Sequence, residues 1–520
     1  MYALFLITKE GLERRQFLKH SSALGLSLAS ALTNKLEAQD MSEEITSMSA
    51  SELSLVIRRK DVRCVEVMHA YLQRIHRYNP LYNAIISMVD DAELMHQAEQ
   101  ADRALDQGEY WGWMHGMPHA VKDLADARGL ESSYGSRIFA GTIASEDNLP
   151  TARIRAQGAI FIGKTNVPEF GLGSQTYNEV HGTTRNAYDP NLIAGGSSGG
   201  AASGLAVQLL PTADGSDMMG SLRNPAAFNN VIGFRPSQGR VPSSSPQENL
   251  YYDQLATDGP MGRTVEDTIR LLKTMAGYDS RAPLSLRDTI PLYNEFRQSD
   301  LADLRIGWMG DYHGYLAMEP GVLKLCEAAL EQLSEHGAGV ETCMPRYDMA
   351  RLWETWLSLR HWAMSGFNPL YDDPQMRKLL KPELVWEIEG SLNMPAARIA
   401  EAGINRSDWY RALHELFEHY DVLVLPSAQV FPFSADVHWP KSINGKTMDT
   451  YHRWMEVVIG GTLAGLPVIS MPVGFDQHGR PMGIQFMGPM GCDRKVLEFA
   501  MAYESVTHYL NKRPMLREQL

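Results

Sequence analysis

Gly195-Gly196-Ser197-Ser198-Gly199-Gly200, followed by Gly215-Ser216-Asp217-Met218-Met219-Gly220-Ser221-Leu222-Arg223-Asn224-Pro225, is the stretch around which the chain organises itself. Both clusters set serine among glycines, where the backbone can turn tightly and approach its neighbours closely. Alone, such segments are loops. A serine hydroxyl becomes a nucleophile only beside a base, and Val121-Lys122-Asp123 offers a lysine within an apolar stretch. Gly116-Met117-Pro118-His119-Ala120 reads as a turn entering a short strand, which places Lys122 at a strand end inside the body.

Outward from these clusters, helices and strands alternate. Val65, Met68, Leu72 and Ile75 recur at helical spacing, predicting a helix over Ser51–Tyr78 stopped by Asn79-Pro80. A second helix is expected over Ala92–Leu105, a small-residue helix over Ala201–Leu210 and a last one over Arg494–Tyr503. Strands are expected at Ala159–Ile162, Leu304–Trp308, Val422–Leu425, Val468–Met471 and Met482–Met487. Several of these runs lack a period of two, so the reading is an α/β layered domain with a largely buried sheet.

Composition narrows the function. With 520 residues, 44% hydrophobic and 21% charged, the chain is long enough for one large core. A net charge of −14 without a basic stripe argues against nucleic acid and for a small neutral or apolar substrate. Cys64, Cys326, Cys343 and Cys492 show no C-x-x-C spacing, and the sixteen histidines include no H-E-x-x-H, so no metal is expected. A Cys326–Cys343 disulfide is allowed by number but not indicated.

At the N-terminus, Arg14-Arg15-Gln16-Phe17-Leu18-Lys19 precedes an apolar, small-residue run over Ser21–Leu32. This reads as a twin-arginine export signal over residues 1–38, cleaved near Ala38, sending the folded chain to the periplasm or outside. The run is too short for a membrane span. Gly158-Ala159-Ile160-Phe161-Ile162-Gly163-Lys164-Thr165 fits a phosphate-loop pattern, but its apolar centre makes a strand rather than a cradle of N–H groups. Nucleotide binding is not expected.

Lys122 in V-K-D, G-G-S-S-G-G, G-S-D-x-x-G-S-x-R-x-P, Ala464-Gly465-Leu466-Pro467 and Pro481-Met482-Gly483-Ile484-Gln485 together resemble, in order, the amidase signature family over roughly Ser51 to Glu504. The two serines stand 24 residues apart, as in that family. The resemblance implies a single amidase domain over 39–520, an α/β fold with a large mixed, mostly parallel sheet covered by helices on both faces. It implies an amidohydrolase in which Ser221 attacks, Ser197 bridges through a cis peptide, and Lys122 is the general base, kept neutral by burial. No cofactor is implied, and a homodimer is compatible with it.

Backbone N–H groups at Met218, Met219, Gly220 and Ser221 would form the oxyanion hole, Ser198 would bond near the triad, and Asp217 with Arg223 would brace the loop. Met219 stands where the family commonly has glycine. Either that position needs positive φ, which would strain methionine, or its backbone is ordinary and Met218 and Met219 wall the acyl pocket, the expectation favoured here.

Arg281 to Tyr451 matches the family least and reads as a variable helical specificity region, with Trp308, Trp353, Trp356, Trp362, Trp386, Trp409 and Trp439. Those rings either line an apolar cleft or anchor helices, the more usual role. Aryl acylamides, amino-acid amides, peptide amides and carbamates stay open as substrates. An amidotransferase subunit passing ammonia to a partner is the alternative; a silent binding protein is disfavoured by the intact Lys122, Ser197 and Ser221.

Overall fold

Two sheets meet at Lys122. The smaller joins β1 (Ile85–Ile86), β2 (Pro118–Lys122) and β3 (Ile160–Thr165) in the order β1-β3-β2, with β2 parallel to β3 and Lys122 opposite Thr165. The larger contains β4 (Ala213–Asp217), β5 (Ile232–Arg235), β6 (Thr257–Gly262), β7 (Arg305–Trp308), β8 (Gly339–Thr342), β9 (Val422–Pro426), β10 (Val468–Phe475) and β11 (Pro481–Met487). Their order is β8-β7-β9-β11-β10-β5-β6-β4.

This is the expected α/β fold with a large mixed sheet. Five strands (β6 to β10) run in one direction and three in the other, while pairing is parallel only at β8–β7 and β7–β9 and antiparallel at the remaining five contacts. Every residue of β9 and β11 is buried, which accounts for their unbroken apolar runs. Along β11, Gly483 and Gln485 face one helix and Phe486 the opposite side. A Cβ on Gly483 would lie 2.8 Å from the Ala227 side chain, whereas the Phe486 ring meets Phe499 and Tyr503 of the C-terminal helix.

The computed structural model describes residues 41–243, 250–251, 254–291 and 293–516, and Ile45–Leu520 form one compact unit. The twin-arginine stretch and Ala38 lie outside the described residues. Among the described residues no helix is long and apolar enough to cross a membrane.

The helix expected over Ser51–Tyr78 is two, α1 (Ala50–Arg58) and α2 (Cys64–Tyr82). The break falls at Lys60, whose φ is +61°. Pro80 sits in the last turn of α2 instead of stopping it, and Asn79 closes that end by accepting N–H groups of Ala84 and Ile85 on Oδ1 at 2.9 Å. The small-residue helix, α3 (Gly199–Ala206), packs as closely as its composition suggests. A Cβ on Gly200 would sit 2.4 Å from the Asn166 main-chain nitrogen.

Within the variable region over 281–451 fall β7 and β9, close to the two strands expected there, and β8, which no strand expectation covers. Its helices concentrate after residue 348. Asp348 caps the first of them by accepting the N–H of Ala350.

Candidate active site

Lys122 ends β2 and is 1% exposed. Its main-chain N–H points at the Asp214 carboxylate, 3.2 and 3.3 Å from the two oxygens, and His119 Nε2 lies 3.0 Å from the same group, so β2 is pinned to the start of β4. Nζ is 2.9 Å from Ser197 Oγ, 2.8 Å from Ser198 Oγ and 2.9 Å from Ser216 Oγ. Burial pulls the lysine from its ordinary 10.5 down to about 7, against the opposing pull of Asp258, Asp214 and Asp217. A neutral amine carries two N–H donors and one lone pair. Nζ also lies 3.3 Å from the Ser216 carbonyl, which can only accept, so at least one of the three surrounding hydroxyls is left to donate to the nitrogen lone pair, as a general base would require.

The Gly196–Ser197 peptide bond is cis, and the Gly196 carbonyl accepts from Ser174 Oγ at 2.8 Å. Ser198 N–H donates to the Ser221 carbonyl at 3.2 Å, which ties the two serine clusters together. Ser221 lies between β4 and the short helix α4 (Arg223–Asn229) and is 9% exposed. Thus Lys122, Ser197, Ser198 and Ser216 converge directly, while Ser221 joins them through its main chain. No hydrogen bond connects its hydroxyl to Ser197 among the described residues.

The loop carrying Ser221 is held by a buried ion pair. Arg223 donates from Nε and Nη2 to Asp217 at 2.9 Å each, with both side chains fully buried. It also reaches the Val458 carbonyl, Gln485 Oε1 and Thr462 Oγ1 at 2.8, 2.8 and 3.0 Å. Burial opposes ionisation of Asp217, yet Arg223 and Arg235 hold it at about 2. Asp217 and Arg223 thus pair with each other at the two ends of the Ser221 turn.

Gly220 departs from expectation. Its N–H donates to Asp217 Oδ1 at 2.8 Å, because the carboxylate folds back over the turn, so it is committed to the brace and not to an oxyanion. The N–H groups of Met218, Met219 and Ser221 have no acceptor among the described residues. The left-handed residue is Gly220, with φ +80°; Met219 has an ordinary backbone. A Cβ at Gly220 would lie 2.3 Å from Asn224 Oδ1, which fixes glycine there.

Met218 is half-buried and packs both on the main core and on a satellite apolar cluster that includes Leu172, Met364, Leu384, Ile388 and Tyr451. Trp439 belongs to that cluster. Trp308, Trp353, Trp356 and Trp409 are core anchors, Trp362 packs against the core, and Trp386 is the exposed member, its ring tilted against His361 and edge-on to Tyr451.

Sequence reasoning missed Ser216, Asp214 and Thr462, and gave Gln485 no role. Ser216 and Gln485 stood inside quoted motifs, but nothing local marks which atoms they would meet. Lys164 of the phosphate-loop pattern is in β3, fully buried, 3.5 Å from Asp123 and bonded to the Ala125 carbonyl. All four cysteines are free thiols. Among the described residues no cluster of His, Cys, Asp or Glu could hold a metal ion.

The Amidase family model matches residues 66–497. The chain belongs to the amidase signature family. It is 30% identical over 468 residues to an acylamidase from Rhodococcus erythropolis, covering 90% of this chain and 97% of that one. It is 32% identical over 502 residues to the A subunit of the glutamyl-tRNA(Gln) amidotransferase from Thermus thermophilus, covering 91% and 100%. Among solved structures, a bacterial aryl acylamidase of the amidase signature family superposes with a TM-score of 0.83 at 26% identity, covering 90% of this chain and 99% of that one. Family membership makes this an amidase signature hydrolase with relatives of more than one activity.

Proposed function

We propose that this protein hydrolyses carboxylic amides of uncharged, apolar or aryl acyl groups through an acyl-enzyme on Ser221. The reading rests above all on the buried Lys122 amine 2.9 Å from Ser197 Oγ. Ser197 passes its proton to the Lys122 lone pair and takes the Ser221 proton as Ser221 Oγ bonds to the amide carbon. The carbonyl oxygen takes the negative charge, which N–H groups of Met218, Met219 and Ser221 stabilise. When the C–N bond breaks, the proton held on Lys122 returns through Ser197 to the departing amine. Water then attacks the ester, giving the acid and free Ser221.

Resemblance to the acylamidase of Rhodococcus erythropolis and to the aryl acylamidase structure supports the substrate class. An ammonia-supplying subunit is the second reading, favoured by the likeness to the amidotransferase of Thermus thermophilus. Export through Arg14-Arg15 fits the first reading better, since a twin-arginine route delivers a folded, self-sufficient enzyme.

The test is mass-spectrometric product analysis of the purified protein and its Ser221→Ala variant on anilides, primary amides, peptide amides and carbamates. Cleavage by the wild type alone, with the acyl group trapped on Ser221, is expected. Equal cleavage by both proteins would overturn the mechanism.

A further inference from the structure

Beside the nucleophile loop lies a buried charge that the mechanism does not use. Arg360 is 7% exposed, and its Nη1 touches Met218 Sδ, three residues before Ser221. An unpaired guanidinium there would be a receptor for carboxylates, since its fork of N–H donors matches their geometry. Arg360 is already occupied. Its Nε donates to Glu387 Oε1 at 3.0 Å, and Tyr451 OH donates to the same oxygen at 2.7 Å. His361 Nδ1 is 3.0 Å from Glu387 Oε2, and Glu387 is fully buried. Burial works against the charge on Glu387, but Arg360 and the neighbouring His361 and His452 hold its carboxyl at about 2, so the pair stays ionised and balanced.

The placement of this pair is specific. Tyr451, bonded to Glu387, and Leu384 and Ile388, on the same helix as Glu387, belong to the satellite cluster against which Met218 packs. The nucleophile loop therefore meets this side through the Met218 thioether and apolar side chains, with the cation next to Met218 already matched by a carboxylate. A second carboxylate approaching Arg360 would meet Glu387 as a like charge, and one stopping short of it would lie unpaired against apolar groups.

We propose that Glu387 is a specificity-determining residue of the Ser221 site: by neutralising Arg360 behind Met218 it keeps the acyl side apolar, so amides of uncharged acyl groups are accepted and those whose acyl chain ends in a carboxylate are refused. The proposal rests on Ser221 being the nucleophile. Glutamine, whose acyl side carries an ammonium and a carboxylate, falls among the refused substrates.

The experiment compares kcat/KM for p-nitroanilides of succinic, glutaric and adipic acid, each carrying one free carboxylate, with the matching methyl esters. A hydrophobic pocket rejects an added hydroxyl by about 100-fold, and a buried carboxylate is costlier to desolvate than a hydroxyl. Wild type is therefore expected to prefer the ester by at least about 100-fold. In Glu387→Gln the preference should fall at least tenfold for one chain length, through a rise on the free acid, because Arg360 is released.

Removing one partner of a buried pair can prevent folding, so Arg360→Met/Glu387→Met is measured alongside, with melting curves for each protein. Replacing both charges with apolar groups is often tolerated, and this variant should keep the ester preference within about threefold of wild type. Indifference of wild type to the carboxylate, an unchanged ratio in folded Glu387→Gln, or loss of the preference in the double variant would each overturn the proposal. Failure of the underlying reading shows separately, as absence of a Ser221-bound acyl group with the neutral esters.

Discussion

The charge state of Lys122 can be read in two independent ways, by rate and by stability. Burial brings its pKa from 10.5 to about 7. In the folded protein the side chain is neutral above that point, whereas the unfolded chain keeps the proton up to 10.5. Between pH 7 and 10.5 the unfolded state therefore binds more protons, and stability rises with pH. At about 1.36 kcal/mol per pH unit, the gain over this window is about 5 kcal/mol. Urea unfolding of wild type and Lys122→Met at intervals from pH 6 to 10.5 isolates it. The wild-type curve should climb relative to the variant by that order between pH 7 and 10.5 and run level with it below pH 7. On the kinetic side, kcat/KM should fall about tenfold per pH unit below pH 7, and Lys122→Arg should be inactive because guanidinium does not deprotonate. A difference curve that is flat, or a rate profile level from pH 5 to 9 on a slow anilide, would refute a neutral buried lysine base.

Other consequences are simpler to state. Breaking the fully buried Asp217–Arg223 pair with Arg223→Leu should cost about 3 to 5 kcal/mol in urea unfolding and remove activity, as it leaves only the more distant Arg235, 4.0 Å away, to match the Asp217 charge beneath the Ser221 loop. Gly220→Ala should lower stability by about 1 to 2 kcal/mol or more, since alanine is disfavoured at φ +80° and its Cβ meets Asn224; turnover should fall with it. Ser197→Ala should lower kcat with little change in melting temperature, measured by single-turnover kinetics and calorimetry. Trp409→Ala should lose about 3 to 5 kcal/mol while the folded fraction keeps its kcat/KM, because Trp409 is fully buried and its indole N–H serves the Gly460 carbonyl at 2.8 Å.

The larger part of the fold was legible in apolar runs. Val422–Pro426, Val468–Phe475 and Pro481–Met487 are strands buried at every residue but Phe475. The strands at Ala213–Asp217 and Thr257–Gly262 are not legible in this way, since Ala-Asp-Gly-Ser-Asp and Thr-Asp-Gly-Pro-Met-Gly are poor strand formers. They are strands because they pair with each other across five registered residues, from Ala213 opposite Met261 to Asp217 opposite Thr257. These partners lie 40 to 48 residues apart, beyond any local pattern.

By itself, the sequence determined which residues could do chemistry: Lys122, Ser197 and Ser221 have the types and order that a serine amidase needs, set among glycines that permit close approach. Tertiary structure alone decided how they are arranged. Burial brings Lys122 from 10.5 down to about 7, Asp217 claims the Gly220 N–H, and Arg360 meets Glu387 from a helix 27 residues earlier in the chain. Side-chain identity is written locally, whereas desolvation, hydrogen-bond partnership and charge balance depend on what the rest of the chain brings alongside.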